Sequence, residues 1–113
     1  MATPEDAALM VQLLRWGTEL KLEEAVNAIY ADDFDPEEVP AANPAVTSIL
    51  FFSEGVGTLV KHGLLDRDLV LDMWAVASVW KRLESAIRRE RERTGEPRLY
   101  ENFEALASPD LQG

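Results

Sequence analysis

Residues 49–66 read ILFFSEGVGTLVKHGLLD. Phe52, Val56 and Leu59 recur at helical spacing, with Ile49 and Val60 on their flank, so the stretch is a helix with one core face. Glu54 points nearly opposite that face. Its neighbours there are Leu50, Phe51, Gly57, Thr58 and Lys61. Such a second face, mixed apolar and small, is more than a free surface helix needs. Gly55 and Gly57 each cost about 1 kcal/mol relative to alanine inside a helix. The spacing therefore predicts close approach of another helix, within the fold or across a dimer. Glu54 is expected at the edge of that contact, accepting bonds from a cation, with Lys61 or an arginine of 81–98 as donor.

Working outward, Asn43-Pro44 caps this helix at its start and His62-Gly63 ends it, which sets its bounds at 44–62. Asp66 caps a fourth helix, expected to run from 67 to about 93. Along it Leu69, Met73, Val76, Trp80, Leu83 and Ile87 alternate steps of four and three, a heptad seam. Val70, Trp74 and Ala77 add a second apolar stripe in its first half only. Glu84 with Arg88, and Arg88 with Glu92, are spaced to pair on the exposed face of its second half. Thr94-Gly95-Glu96-Pro97 stops it. A short fifth helix, 97–107, follows, with Leu99, Phe103 and Leu106 turned inward.

Upstream, Thr3 followed by Pro4, Glu5 and Asp6 is a strong helix start. Leu9, Leu13, Trp16 and Leu20 form one stripe, and Leu22, Ala25, Val26 and Ile29 form another about half a turn away. That phase change predicts a break at Gly17-Thr18 and two helices, 4–16 and 19–31. DDFDPEEVPAANP, 32–44, is a loop. No strand alternation occurs anywhere, so the expected fold is all-α: a compact bundle of four main helices plus a short C-terminal helix. Residues 1–107 form one domain in this reading, and 108–113 form a flexible tail.

Net charge is −10, with 47% hydrophobic and 28% charged residues, ordinary proportions for a folded domain. The charge opposes binding to nucleic acid and to anionic membranes. No run is apolar and long enough to span a bilayer, and the N-terminus carries acids where a secretory leader carries bases. A cytoplasmic location is expected. With no cysteine, thiolate chemistry and disulfides are excluded.

Candidate chemistry is sparse. His62 is the one histidine, and it suits a helix C-terminus as a cation. The acids Asp32, Asp33, Asp35, Glu37 and Glu38 lack the spacing and central glycine of the common calcium loop, so a solvated turn is the better reading. Arg88, Arg89, Arg91 and Arg93 are interleaved by Glu90 and Glu92. The pattern reads as a salt-bridged exposed helix; if the arginines meet a partner, its acidic face, or this chain's own acidic loop, is a better match than DNA. Trp16, Trp74 and Trp80 are expected in the core, and Tyr100 beside Phe103 with its hydroxyl anchored by one bond. No phosphate loop, nucleophile elbow or paired-histidine motif occurs. No cofactor or metal is expected.

FFSEGVGTLVKHGLLD, the tryptophan-bearing helix after it, and PRLYENFEAL at 97–106 resemble a small prokaryotic helical family recorded as a domain of unknown function. The resemblance covers roughly the last 60 residues, and Pro97 to Glu104 is its most specific part. It implies an all-helical fold with a structurally important C-terminal helix, and no mechanism. The functional expectation is a non-enzymatic helical interaction module that binds itself as a homodimer, or another protein. A ligand-binding domain with a pocket between helices is the alternative. The interaction candidates are Phe51, Glu54, Gly57, Trp74, Trp80, Arg88, Arg89 and Tyr100. Convergence of Glu54, Trp80 and Tyr100 on a cavity would favour a ligand; dispersal would favour the module.

Overall fold

The residues after Thr3 do what their chemistry favours. In the computed structural model, which describes residues 2–108, α1 runs Pro4–Glu19. The Thr3 hydroxyl oxygen accepts the Asp6 N–H, and the Asp6 carboxylate accepts the Thr3 N–H at 2.7 Å, a reciprocal cap. The other Asp6 oxygen accepts the Asp66 N–H at 3.1 Å, tying the start of α1 to the start of a later helix.

The expected break at Gly17-Thr18 falls three residues later. Gly17 stays helical and buried against Leu22 and Phe52. The turn is made at Lys21, whose φ of 56° is left-handed, and α2 is Leu22–Ile29. Leu20 N–H bonds Trp16 O and Lys21 N–H bonds Thr18 O, so the last turn of α1 is satisfied before the chain swings away. Leu22, Ala25 and Ile29 then face the core as their spacing requires.

Asn43 caps α3, Pro44–Lys61, by accepting the N–H groups of Ala45 and Val46. Val46, Ile49, Leu50, Phe52, Ser53, Val56 and Gly57 are all buried, so α3 is enclosed on more than one side. It is the axis of the fold, with α2 packed on it on one side and the C-terminal helix on another.

The expected fourth helix is two helices. α4 is Arg67–Met73 and α5 is Val76–Thr94, separated by Trp74 in extended conformation. Ala75 sits in a tight turn, with Val76 N–H bonding Trp74 O at 2.8 Å. No glycine or proline marks this break. The extended residue lets the Trp74 ring reach Phe52, with centroids 5.7 Å apart and an edge-on angle of 68°. Aromatic burial of this kind outweighs the few tenths of a kcal/mol of local helix preference it overrides. The heptad seam therefore does not run through: Val76, Leu83 and Ile87 are buried, whereas Met73 is exposed.

Gly95, at φ 73°, closes α5. The fifth helix of the sequence reading is shortened: 97–100 are turns, and α6 is Glu101–Ala107. Phe103 and Leu106 are its buried face. Six helices and no strand among the described residues make the fold all-α. The expected flexible tail lies, beyond Ser108, outside the described residues. Among the described residues no helix is long and apolar enough to cross a membrane.

Candidate functional site

Glu54 lies at a helix contact, as expected, but its donors are not cations. One carboxylate oxygen accepts the backbone N–H of Phe103 at 2.9 Å, and the other accepts the side-chain amide of Asn102 at 2.9 Å. Phe103 is the third residue of α6, so its N–H is one of the first-turn donors that the helix leaves unpaired. Tyr100, the N-cap, offers no capping side chain and is itself left-handed at φ 61°. Glu54 supplies the missing cap from 49 residues away, and its charge suits the positive end of α6. Asn102 also donates to the Thr58 hydroxyl at 3.1 Å, and that hydroxyl in turn donates to the Glu54 carbonyl.

The glycines explain the contact. A Cβ on Gly57 would stand 2.3 Å from the Asn102 carbonyl oxygen, so α6 can approach α3 only where that residue has no side chain. Gly55 faces α1 with a milder constraint: a Cβ there would meet the Trp16 ring at 3.3 Å, a tight contact that a small shift of the ring could relieve.

Seven residues are too few for an isolated helix to persist. Tertiary groups hold both ends of α6. Arg67 donates to the carbonyls of Leu106 and Ser108, each at 2.9 Å, and Arg91 donates to the Leu99 carbonyl and the Glu104 carboxylate. Trp80 packs edge-on against Phe103, centroids 5.2 Å apart at 88°. Burial, and secondarily the charges of Glu90 and Glu54, push the Tyr100 hydroxyl pKa upward. The expected anchoring bond to that hydroxyl is not formed among the described residues. Glu54, Trp80 and Tyr100 thus serve the α3–α5–α6 junction.

Two arginines of α5 turn inward on the segment from Ile29 to Val39, whereas Arg88 and Arg93 pair with glutamates on the exposed face of the helix. Arg89 donates to the carbonyls of Pro36 and Val39, and Arg82 donates to those of Ile29 and Phe34 while lying over the Tyr30 and Phe34 rings. Ser85 donates to Glu37. The acidic loop is therefore the counterpart of these arginines, chiefly through its carbonyls. Arg88 is exposed and pairs with Glu84.

One surface stands apart from this network. Between the α1–α2 corner and the α4–α5 junction runs an open groove of about 450 Å³. Its apolar wall is Leu13, Leu14, Leu22, Phe52, Met73 and Trp74; Lys21, Glu23 and Glu24 stand at its rim. Leu14 remains 51% exposed and Met73 37%. Trp74 was expected as an interaction residue and does line this groove, though its indole nitrogen is buried without a hydrogen-bond partner. Phe51, 67% exposed, lies outside the groove with its edge on Trp16. Sequence reasoning missed the α1–α2 contribution. The available signal was Leu14, an apolar residue off the stripe of Leu9, Leu13 and Trp16.

Among the described residues, no three side chains able to ligate a metal come together. His62 is the exposed cap residue after α3. The polar chemistry on view caps helices and straps loops.

No curated protein and no solved structure matches the chain. A family model matches residues 3–108, so the shared pattern takes in α1 and α2, where the sequence reading found no resemblance. With nearly its whole length matched, from the Thr3 cap to the end of α6, the chain belongs to the family described as Domain of unknown function (DUF4760).

Proposed function

We propose that the protein is a non-enzymatic helical interaction module, and that it docks a helical segment of a partner protein in the groove between the α1–α2 corner and Trp74. The half-exposed Leu14 at the edge of that apolar wall is the observation that carries the reading. Open apolar grooves between helices receive amphipathic helices through side chains at helical spacing. The groove volume also falls within the range of small-molecule sites, about 300–1,000 Å³. Its polar groups stand at the rim, however, and a small ligand needs a few that converge inside. The residues with most catalytic potential are occupied: Glu54 caps α6, and Arg82, Arg89 and Arg91 hold carbonyls. That commitment of the arginines, with the −10 charge, also makes nucleic acid an unsuitable partner.

A photo-crosslinking residue placed at Leu14 in cells tests the reading. A discrete protein adduct, lost on Trp74→Ala and not formed from the exposed α5 position Lys81, is expected. A bound small molecule of defined mass in native mass spectrometry, with no protein adduct, would replace the module by a ligand-binding domain.

Self-association is a second reading, favoured by Phe51. An aromatic ring 67% exposed on the central helix, away from the groove, suits a symmetric contact between two copies.

A further inference from the structure

We infer that the groove's occupant is a basic amphipathic helix, with an apolar stripe on the groove wall and lysines or arginines against Glu23 and Glu24. The inference rests on the groove being the docking surface and adds the charge of the partner. The charge of this protein is divided unevenly. Residues 1–80 hold fourteen acids against four bases, and residues 81–113 hold seven of each. The whole net charge of −10 therefore belongs to the part of the chain that builds the groove, since every lining residue lies between 13 and 74. The seven bases of the other part do not offset it at the groove. Arg82, Arg89 and Arg91 donate to carbonyls of this chain, Arg88, Arg93 and Arg98 are paired with glutamates on their own segments, and Lys81 on α5 is not among the residues lining the groove.

At the rim itself Glu23 and Glu24 are exposed, and neither has an ion-pair partner among the described residues. Lys21 is the one cation lining the groove among those residues. An apolar wall bordered by unpaired acids selects for a partner whose polar face is cationic, because opposite charges speed encounter and fix orientation. The same field disfavours a second copy of this chain in the groove. Its groove-bearing part carries the same excess of acid, and like charges across an interface are unfavourable.

The test uses the full chain and three fluorophore-labelled helical peptides of about 18 residues with one shared Leu/Phe stripe at helical spacing. Their polar faces are lysine, glutamine or glutamate. Fluorescence anisotropy should show the lysine peptide binding tightest. Its affinity should fall about tenfold or more between about 50 and about 500 mM salt as screening shortens the reach of the rim charges. Glu23→Gln with Glu24→Gln should weaken the lysine peptide roughly three- to tenfold and leave the glutamine peptide unchanged. Leu14→Arg should abolish binding of all three, with circular dichroism confirming that the variant is folded.

If the glutamine peptide binds as tightly as the lysine peptide with no salt dependence, the charge inference fails while the docking surface stands. If no peptide binds, or Leu14→Arg changes nothing, the docking surface fails and the inference with it. Should light scattering show a dimer that Leu14→Arg dissociates, the occupant is a second copy, and the inference is overturned.

Discussion

The Glu54 carboxylate on α3 accepts the backbone N–H of Phe103 on α6 at 2.9 Å, and through that bond an internal helix caps the terminal one. α6 has a left-handed tyrosine where a capping side chain would stand, so its start depends on a residue 49 positions away. Replacing Glu54 by glutamine removes the charge from both bonds and turns one acceptor into a donor. Glu54→Gln should cost about 1–2 kcal/mol in urea unfolding, in the range of a charged hydrogen bond to a helix terminus. A loss below about 0.5 kcal/mol, that of a bland surface change, would mean the cap contributes nothing.

The same glycine-to-alanine change should act with opposite sign at two sites. At Gly57 the added methyl would meet the Asn102 carbonyl at 2.3 Å, so α6 must shift, at a cost of roughly 1–3 kcal/mol. Trp80 packs edge-on against Phe103 and should report the shift as a change in fluorescence. At Gly17 the nearest atom to an added Cβ is Leu22 at 3.5 Å, an ordinary contact. Gly17→Ala should therefore stabilise the protein by about 0.5–1 kcal/mol through helix propensity alone. Equal effects at the two sites, read by thermal unfolding, would contradict the packing.

Acid should loosen the start of α1. The Thr3 N–H bond, helped by the Thr3 hydroxyl and the Asp66 N–H, holds the Asp6 carboxyl below its ordinary 3.8. A carboxyl with a depressed folded pKa binds fewer protons in the native state than when unfolded. Its stabilisation is present above about pH 4 and is lost as the pH falls through the folded value. Asp6→Asn should thus be less stable than wild type at neutral pH, and the gap should close below pH 3.8. A gap that stays constant down the acid limb would remove Asp6 from the acid response.

Arg89 straps the acidic loop to α5 through the Pro36 and Val39 carbonyls. Arg89→Met keeps the aliphatic stem and loses both bonds, with an expected cost of roughly 1.5–3 kcal/mol. Limited proteolysis should then cut first within 32–43. Unchanged cleavage would show that Arg82 and Ser85 hold the loop without it.

Light scattering at micromolar concentration should return about twice the chain mass of 12.6 kDa, the commonest closed assembly. Phe51→Ser should shift the mass to that of one chain without loss of helicity, because the ring is exposed in the single chain. A single-chain mass for the wild type across a wide concentration range would rule this contact out.

The all-α class and most of the helix boundaries were legible in the sequence because their causes are local. Thr3, Asn43 and Asp66 accept N–H groups two or three residues ahead, and Gly95 turns left-handed after its helix. The close helix contact at Gly57 was legible too, since a glycine inside an apolar helix face has few other uses. Other features lay beyond local reading. Gly17 looked like a breaker, yet it stays helical because Leu22 and Phe52 enclose it.

The sequence by itself determined where α1, α3 and α4 start, which faces are apolar, and that the arginines of α5 suited an acidic face, of a partner or of the chain's own loop, better than phosphates. The tertiary structure alone decided that helix four breaks at Trp74, that Glu54 serves α6 rather than a cation, and that Leu14 and Met73 border one open groove. Capping and periodicity act over three or four residues and are written in neighbouring side chains. Breaks, distant caps and grooves follow from how Phe52 and Phe103 are buried together with rings from other helices, and no single segment records that arrangement.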